Sequence, residues 1–189
     1  MSRLIVTGAP GTGKTTVLSA LTGDRTIPEP ARQVLDEYRA ANGPEASQPP
    51  HEVFVPLLLE RSIENYEAAA AIHEPVVFDR GVPDCIVYAE WLGTDPGPAE
   101  SAARRCSYHP EVLLFTPWEE IYTTDAERTM TFAMVEGFHD VQVSVFERLG
   151  YELLEVPKQD IATRAGFVED WVRRASADGS GSPPNDPIR

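Results

Sequence analysis

The chain has 189 residues with 30 acidic and 16 basic side chains, a formal net charge of −14 and 42% apolar residues. That composition suits one soluble domain with a substantial core, and no apolar run approaches the ~20 residues needed to span a bilayer. So acidic a surface repels polyanions, which makes nucleic acid and anionic membrane poor partners, although a local cluster of donors still suffices for a small anionic nucleotide.

The first element is the apolar run Leu4, Ile5, Val6, which leads into Gly8-Ala9-Pro10-Gly11-Thr12-Gly13-Lys14-Thr15-Thr16. A strand, a turn of the form G-x-x-x-x-G-K-T and a helix-forming stretch from Thr16 to Leu21 make a Walker A loop in its required setting. The glycines let successive backbone N–H groups point at phosphate oxygens at the positive end of the following helix. Lys14 then reaches the outer phosphates, and Thr15 offers its hydroxyl to magnesium. The N-terminal apolar stretch is short and belongs to this loop, so no signal peptide is expected.

A short strand at Thr26 and Ile27 follows, ending in Pro28-Glu29-Pro30-Ala31-Arg32. Ligands of open parallel sheets bind at the carboxyl ends of strands, which places Glu29 where it would orient or deprotonate an acceptor hydroxyl. A helix is expected over Ala31–Ala41, a Pro/Gly/Ser-rich break over 42–50, and a long helix over His51–Ile72 with Val53, Leu57, Leu58, Glu60, Ile63 and Tyr66 on its mixed face.

Next comes Val76-Val77-Phe78-Asp79-Arg80-Gly81-Val82-Pro83-Asp84. Three apolar residues ending in Asp79 read as a Walker B strand, with the carboxylate on the magnesium shell or on an acceptor hydroxyl. Arg80 is a candidate for gripping a substrate phosphate or carboxylate. Asp84 either serves the same substrate or caps the next helix.

After a loop at 93–98 and a helix carrying Arg104 and Arg105, a strand is expected over Val112–Phe115 and a helix over Asp125–Leu149, stopped at Gly150. Between them Thr123-Thr124-Asp125-Ala126-Glu127-Arg128 reads as a mobile segment whose Arg128 neutralises transferring phosphate, or as a solvated helix start capped by Thr124 or Asp125. Arg104 and Arg105 are alternatives for the arginine's role. A last strand is expected at Leu153–Val156. The domain is read as residues 1–175, and the stretch from Ser176 to Arg189 as a disordered tail. Cys85 and Cys106 show no metal-ligand spacing and fit the core or a helix face of a reduced, cytoplasmic protein. His51, His73, His109 and His139 are scattered and receive no role.

Strands alternating with helices argue for a parallel sheet covered on both faces. In its loop, in Ile27–Arg32, Val76–Asp84, Pro117–Arg128 and Leu149–Pro157, the chain resembles the P-loop AAA-type ATPase/kinase family, related to nucleoside and nucleoside-monophosphate kinases including the ribosylnicotinamide-kinase type. The resemblance implies a three-layer α/β/α fold with a five-stranded sheet of order 2-3-1-4-5. It also implies ATP or GTP with Mg2+, a short lid carrying Arg128, and an acceptor pocket lined by Glu29, Arg32, Asp79 and Arg80. The loop Pro157–Asp160 would pass near the base. Three functions follow: a small-molecule kinase, a nucleotide-dependent regulatory protein with slow hydrolysis, or a stand-alone hydrolase in which Glu29 or Asp79 positions water. A polar pocket opposite the loop favours the kinase. Acceptor identity, the choice of ATP or GTP, and oligomeric state stay open.

Overall fold

Strand β1 (Arg3–Gly8) lies at the centre of the molecule because its run Leu4-Ile5-Val6 is apolar on both sides of the pleat, and all three residues are fully buried. The computed structural model describes residues 2–21, 26–43, 48–123 and 130–177. Around β1 stand β2 (Thr26–Ile27), β3 (Val76–Asp79), β4 (Glu111–Phe115) and β5 (Glu152–Glu155). All pairings are parallel and the order is β2-β3-β1-β4-β5, as the sequence predicts.

Alternation along the strands divides the core in two. Leu4, Val6, Val77, Leu113 and Phe115 face α1 (Lys14–Ser19) and α7 (Ile161–Ala177), where Val17, Leu18, Val168 and the fully buried Trp171 meet them. Ile5, Phe78 and Val112 face the opposite layer. That layer draws on α2 (Pro30–Asn42), α3 (His51–Ala68), α4 (Val82–Leu92), α5 (Gly97–Ala103) and α6 (Phe132–Arg148). Each large side chain removed from water in these two layers contributes about 1.5–3 kcal/mol. The three-layer α/β/α architecture follows directly from this alternation.

Several boundaries differ from expectation, each for a local reason. Helix α3 ends at Ala68 and continues as a 3₁₀ turn to Ala71. Its inward stripe is Phe54, Val55, Leu58 and Ser62, while Val53 and Leu57 are exposed. The helix is apolar on more than one side, so its neighbours decide which stripe turns inward. Helix α6 begins at Phe132, where the Thr131 side chain accepts the Met134 N–H at 3.3 Å, and it ends before Gly150 at φ 79° as expected. The stretch assigned to its start, 124–129, lies outside the described residues. Strand β5 is a sheet edge with Glu152 and Glu155 exposed, where a buried run was expected. Helix α7 continues through Ser176 and Ala177, the first two residues assigned to a disordered tail; 178–189 lie outside the described residues. Both cysteines are buried free thiols, and no described helix is long and apolar enough to cross a membrane.

Candidate nucleotide and acceptor site

The loop between β1 and α1 is shaped by close approach. A Cβ on Gly8, at φ 148°, would stand 2.3 Å from the carbonyl oxygen of Phe115, its partner on β4, so only glycine fits. Downstream, Pro10 to Thr16 form one wall of a cavity of about 730 Å³. Gly8 and Ala9 do not line that wall; their carbonyls accept from Lys14 Nζ at 2.9 and 3.5 Å. Burial, and next to it the charge of Arg80, lowers the Lys14 pKa to about 8 against the pull of Asp79 and Glu29. Thr15 lines the cavity at the start of α1, Thr16 is exposed on its rim, and the Thr12 hydroxyl closes the turn on Ala9 O at 2.9 Å.

Asp79 ends β3 opposite Val6, buried beside Lys14. Its Oδ1 has no hydrogen-bond partner among the described residues, and burial raises its pKa although Lys14 opposes the shift. Asp79 does not line the cavity itself, but its unsatisfied oxygen and the Thr15 hydroxyl are a donor set that suits Mg2+, which takes one or two protein oxygens and completes its shell from phosphate and water. Among the described residues no cluster of three or more His, Cys, Asp or Glu forms a metal cage.

Arg80 follows with φ 71°, a left-handed conformation unusual for a side-chain-bearing residue, and its bonds hold it there. Nε donates to Glu29 Oε1 at 2.8 Å, Nη1 to Asp84 Oδ1 at 3.3 Å and Nη2 to Gly8 O at 2.9 Å. With 2% exposure, the guanidinium is bonded to the scaffold on three sides and lines the same cavity as the loop. Glu29, at the end of β2, also accepts Arg32 Nε at 3.0 Å. Burial would push its carboxyl up, but Arg80 and Lys14 prevail and hold it near 2, too low for a proton acceptor at neutral pH.

Asp84, a candidate for substrate contact, lies away from the cavity wall. Its Oδ2 accepts the Gly81 N–H at 2.9 Å at the start of α4, and its Oδ1 accepts the Thr7 hydroxyl and Gln142 Nε2 besides Arg80. Capping the helix and anchoring Arg80 account for it. Arg104 and Arg105 are exposed just beyond α5, off the cavity. Arg128 falls within 124–129, outside the described residues.

Glu29, Arg32, Asp36, Arg39 and Tyr88 line the same cavity, so the loop and a second polar set share one space. Trp118, Gln159, Asp160 and Arg164 also line the cavity, which brings part of the predicted Pro157–Asp160 loop onto it. Arg164 was not foreseen. It is 5% exposed, Nη2 donates to Thr12 O at 2.6 Å, and the guanidinium lies over the rings of Phe115 and Trp118 at 4.7 and 5.5 Å. Its signal in the sequence was a lone charge on the apolar stripe Ile161, Ala165, Val168, Trp171.

Three solved structures share this fold at low identity. A deoxyadenosine kinase from M. mycoides with bound dATP aligns with TM-score 0.60 and 11% identity over 90% of this chain and 99% of that one. Thymidylate kinase from Candida albicans aligns with TM-score 0.56 and 12% identity over 100% and 96%. The NadR protein in complex with NR aligns with TM-score 0.65 and 16% identity over 93% of this chain and 51% of that one. No curated protein gives a significant sequence match. The sequence profile of an AAA domain family matches residues 3–164, from the first residue of β1 to Arg164 on the cavity lining. That match takes in the loop, the second polar set and all five strands, and the chain belongs to this AAA domain family.

Proposed function

We propose that the protein is a P-loop phosphotransferase that binds ATP, with GTP as the alternative, and transfers the γ-phosphoryl group to a hydroxyl or phosphate of a nucleoside-like small metabolite. The observation that carries this reading is the shared cavity: Pro10 to Thr16 and Glu29, Arg32, Asp36, Arg39 and Tyr88 line one space of about 730 Å³. A pure nucleotide switch needs the first set only. The kinases of similar fold, for deoxyadenosine and thymidylate, supply the acceptor class.

In this reading Lys14 exchanges its two loop carbonyls for phosphate oxygens and holds them in line with the acceptor. Bound magnesium, held by Thr15 and Asp79, would neutralise phosphate charge. Glu29 stays ionised and accepts a hydrogen bond from the acceptor hydroxyl, orienting it; a loose phosphoryl-transfer transition state asks little of a base. Arg80 fixes Glu29 and the Gly8 carbonyl relative to each other. Arg128 is assigned the lid cation.

Nucleoside-diphosphate release from MgATP and MgGTP, with pooled nucleosides, nucleotides and related metabolites, tests the proposal. One pool should accelerate release in a Lys14-dependent way. Tight nucleotide binding with a slow rate that no pool changes would favour the regulatory reading.

A further inference from the structure

Two buried arginines flank the nucleotide loop, and their surroundings differ. Arg80 is matched by two carboxylates, Glu29 and Asp84. Arg164 has none among the described residues. Among the described residues its only hydrogen bond is to the Thr12 carbonyl, and its Nε is buried with no partner among them. Asp160, one helical turn earlier, has both oxygens on Thr163, at 2.9 and 3.1 Å, and leaves the guanidinium alone. Burying a cation without a counter-charge is costly. The stacking on Phe115 and Trp118 offsets part of that cost.

The missing counter-charge has an obvious direction. Arg164 lines the same cavity as Lys14, and a Cβ added to Gly13 would stand 2.9 Å from its Nη1. The guanidinium therefore sits against the backbone whose N–H groups are arranged for phosphate. We propose that Arg164, delivered by α7, is a second phosphate-binding cation of the nucleotide site, acting with Lys14 and independently of the lid arginine. The proposal rests on the nucleotide-site reading. Its chemical content is that a polyphosphate, rather than a base or an acceptor, completes the Arg164 environment. The planar fork suits it: one edge keeps the Thr12 carbonyl while free N–H groups turn to phosphate oxygens.

The test compares wild type, Lys14→Ala, Arg164→Met and Arg164→Lys by calorimetric titration with MgATP, MgADP and magnesium tripolyphosphate, alongside thermal unfolding without ligand. Arg164→Met should weaken all three ligands by about ten- to a hundredfold, the loss of charged hydrogen bonds. Its own unfolding temperature should hold or rise, because an unpaired buried cation has been removed. Arg164→Lys keeps the charge and should recover part of the affinity. A loss confined to MgATP and MgADP, with tripolyphosphate unaffected, would mean stacking on the base and overturns the proposal. So does a fall in unfolding temperature with all affinities kept, which marks a structural latch on Thr12. If wild type binds none of the ligands, or Lys14→Ala binds them as wild type does, the nucleotide-site reading itself fails. If those controls behave and Arg164→Met binds normally, only this inference fails.

Discussion

Replacing Asp84 by alanine tests whether this carboxylate holds the site together from behind. In the folded protein its Oδ1 receives the Thr7 hydroxyl, Gln142 Nε2 at 3.1 Å and Arg80 Nη1 at 3.3 Å, while Oδ2 receives the Gly81 N–H at 2.9 Å. At 2% exposure no water can replace these partners without rearrangement. Asp84→Ala leaves a half-neutralised guanidinium, an amide and a helix start unsatisfied, and breaking a buried pair of this kind costs about 3–5 kcal/mol. Against a total stability of about 5–15 kcal/mol this is a large fraction, and for a chain of this size it lowers Tm by about 8–15 °C. Asp84→Asn keeps the shape and an acceptor oxygen but not the charge, and should lose about half as much. Thr7→Val removes one donor to the same oxygen, so its cost should add to that of Asp84→Ala only in part. Urea unfolding at neutral pH, read by circular dichroism with linear extrapolation, supplies the numbers. A loss below about 1 kcal/mol for Asp84→Ala, with an unchanged denaturant slope, would refute the anchoring role.

Glu29 and Lys14 make opposite pH signatures. The Glu29 carboxyl, held near 2 in the fold against an ordinary 4.5, contributes about 3 kcal/mol of stability that is fully present above pH 4.5 and lost as pH falls towards 2. The stability gap between wild type and Glu29→Gln should therefore shrink by more than half between about pH 5 and pH 3; a gap that stays constant contradicts the ion-pair assignment. Lys14, lowered to about 8, is largely neutral at pH 9 in the unliganded protein. Phosphate restores its charge, so nucleotide binding at pH 8.5–9 should take up a fraction of a proton, visible as a buffer-dependent heat in calorimetry, and affinity should fall as pH rises past 8. Proton uptake that persists in a Lys14→Ala variant would assign the effect elsewhere.

The parts of this molecule written most clearly in its sequence are those where a local pattern has one physical solution. Leu4-Ile5-Val6 and Val76-Val77-Phe78 are apolar on both faces of the pleat, and only the interior of a covered parallel sheet accommodates them. Gly8 to Thr15 carries its own geometry. Side-chain commitments were harder to read, because they depend on partners distant in the chain. Arg80 follows Asp79 in sequence, and nothing local announces its bonds to Glu29, 51 residues earlier, and to Asp84. Gln142 lies 135 residues from Thr7 and carries no motif, although it donates to Thr7 Oγ1 at 2.6 Å. Arg164 reaches Thr12 across 152 residues. Helix faces were ambiguous in α3 for a related reason: apolar residues occupy several stripes, and packing against α2 and α4 selects Phe54, Val55 and Leu58. Sheet position also escaped the pattern, since Leu153 and Leu154 on β5 are as apolar as a central strand but stand at an edge.

The central claim is that one cavity holds both the phosphoryl donor and its acceptor. Its most direct test follows phosphorus from MgATP by 31P NMR in the presence of pooled nucleosides and nucleoside monophosphates, with wild type and Lys14→Ala side by side. The account predicts, with wild type, a new phosphomonoester signal from a nucleoside or diphosphate signal in excess of the ADP formed from a monophosphate, and a drop of about a thousandfold or more in its rate of appearance for Lys14→Ala. Equal rates for the two proteins, or ADP and inorganic phosphate in equal amounts with no phosphorylated acceptor in any pool, would contradict it.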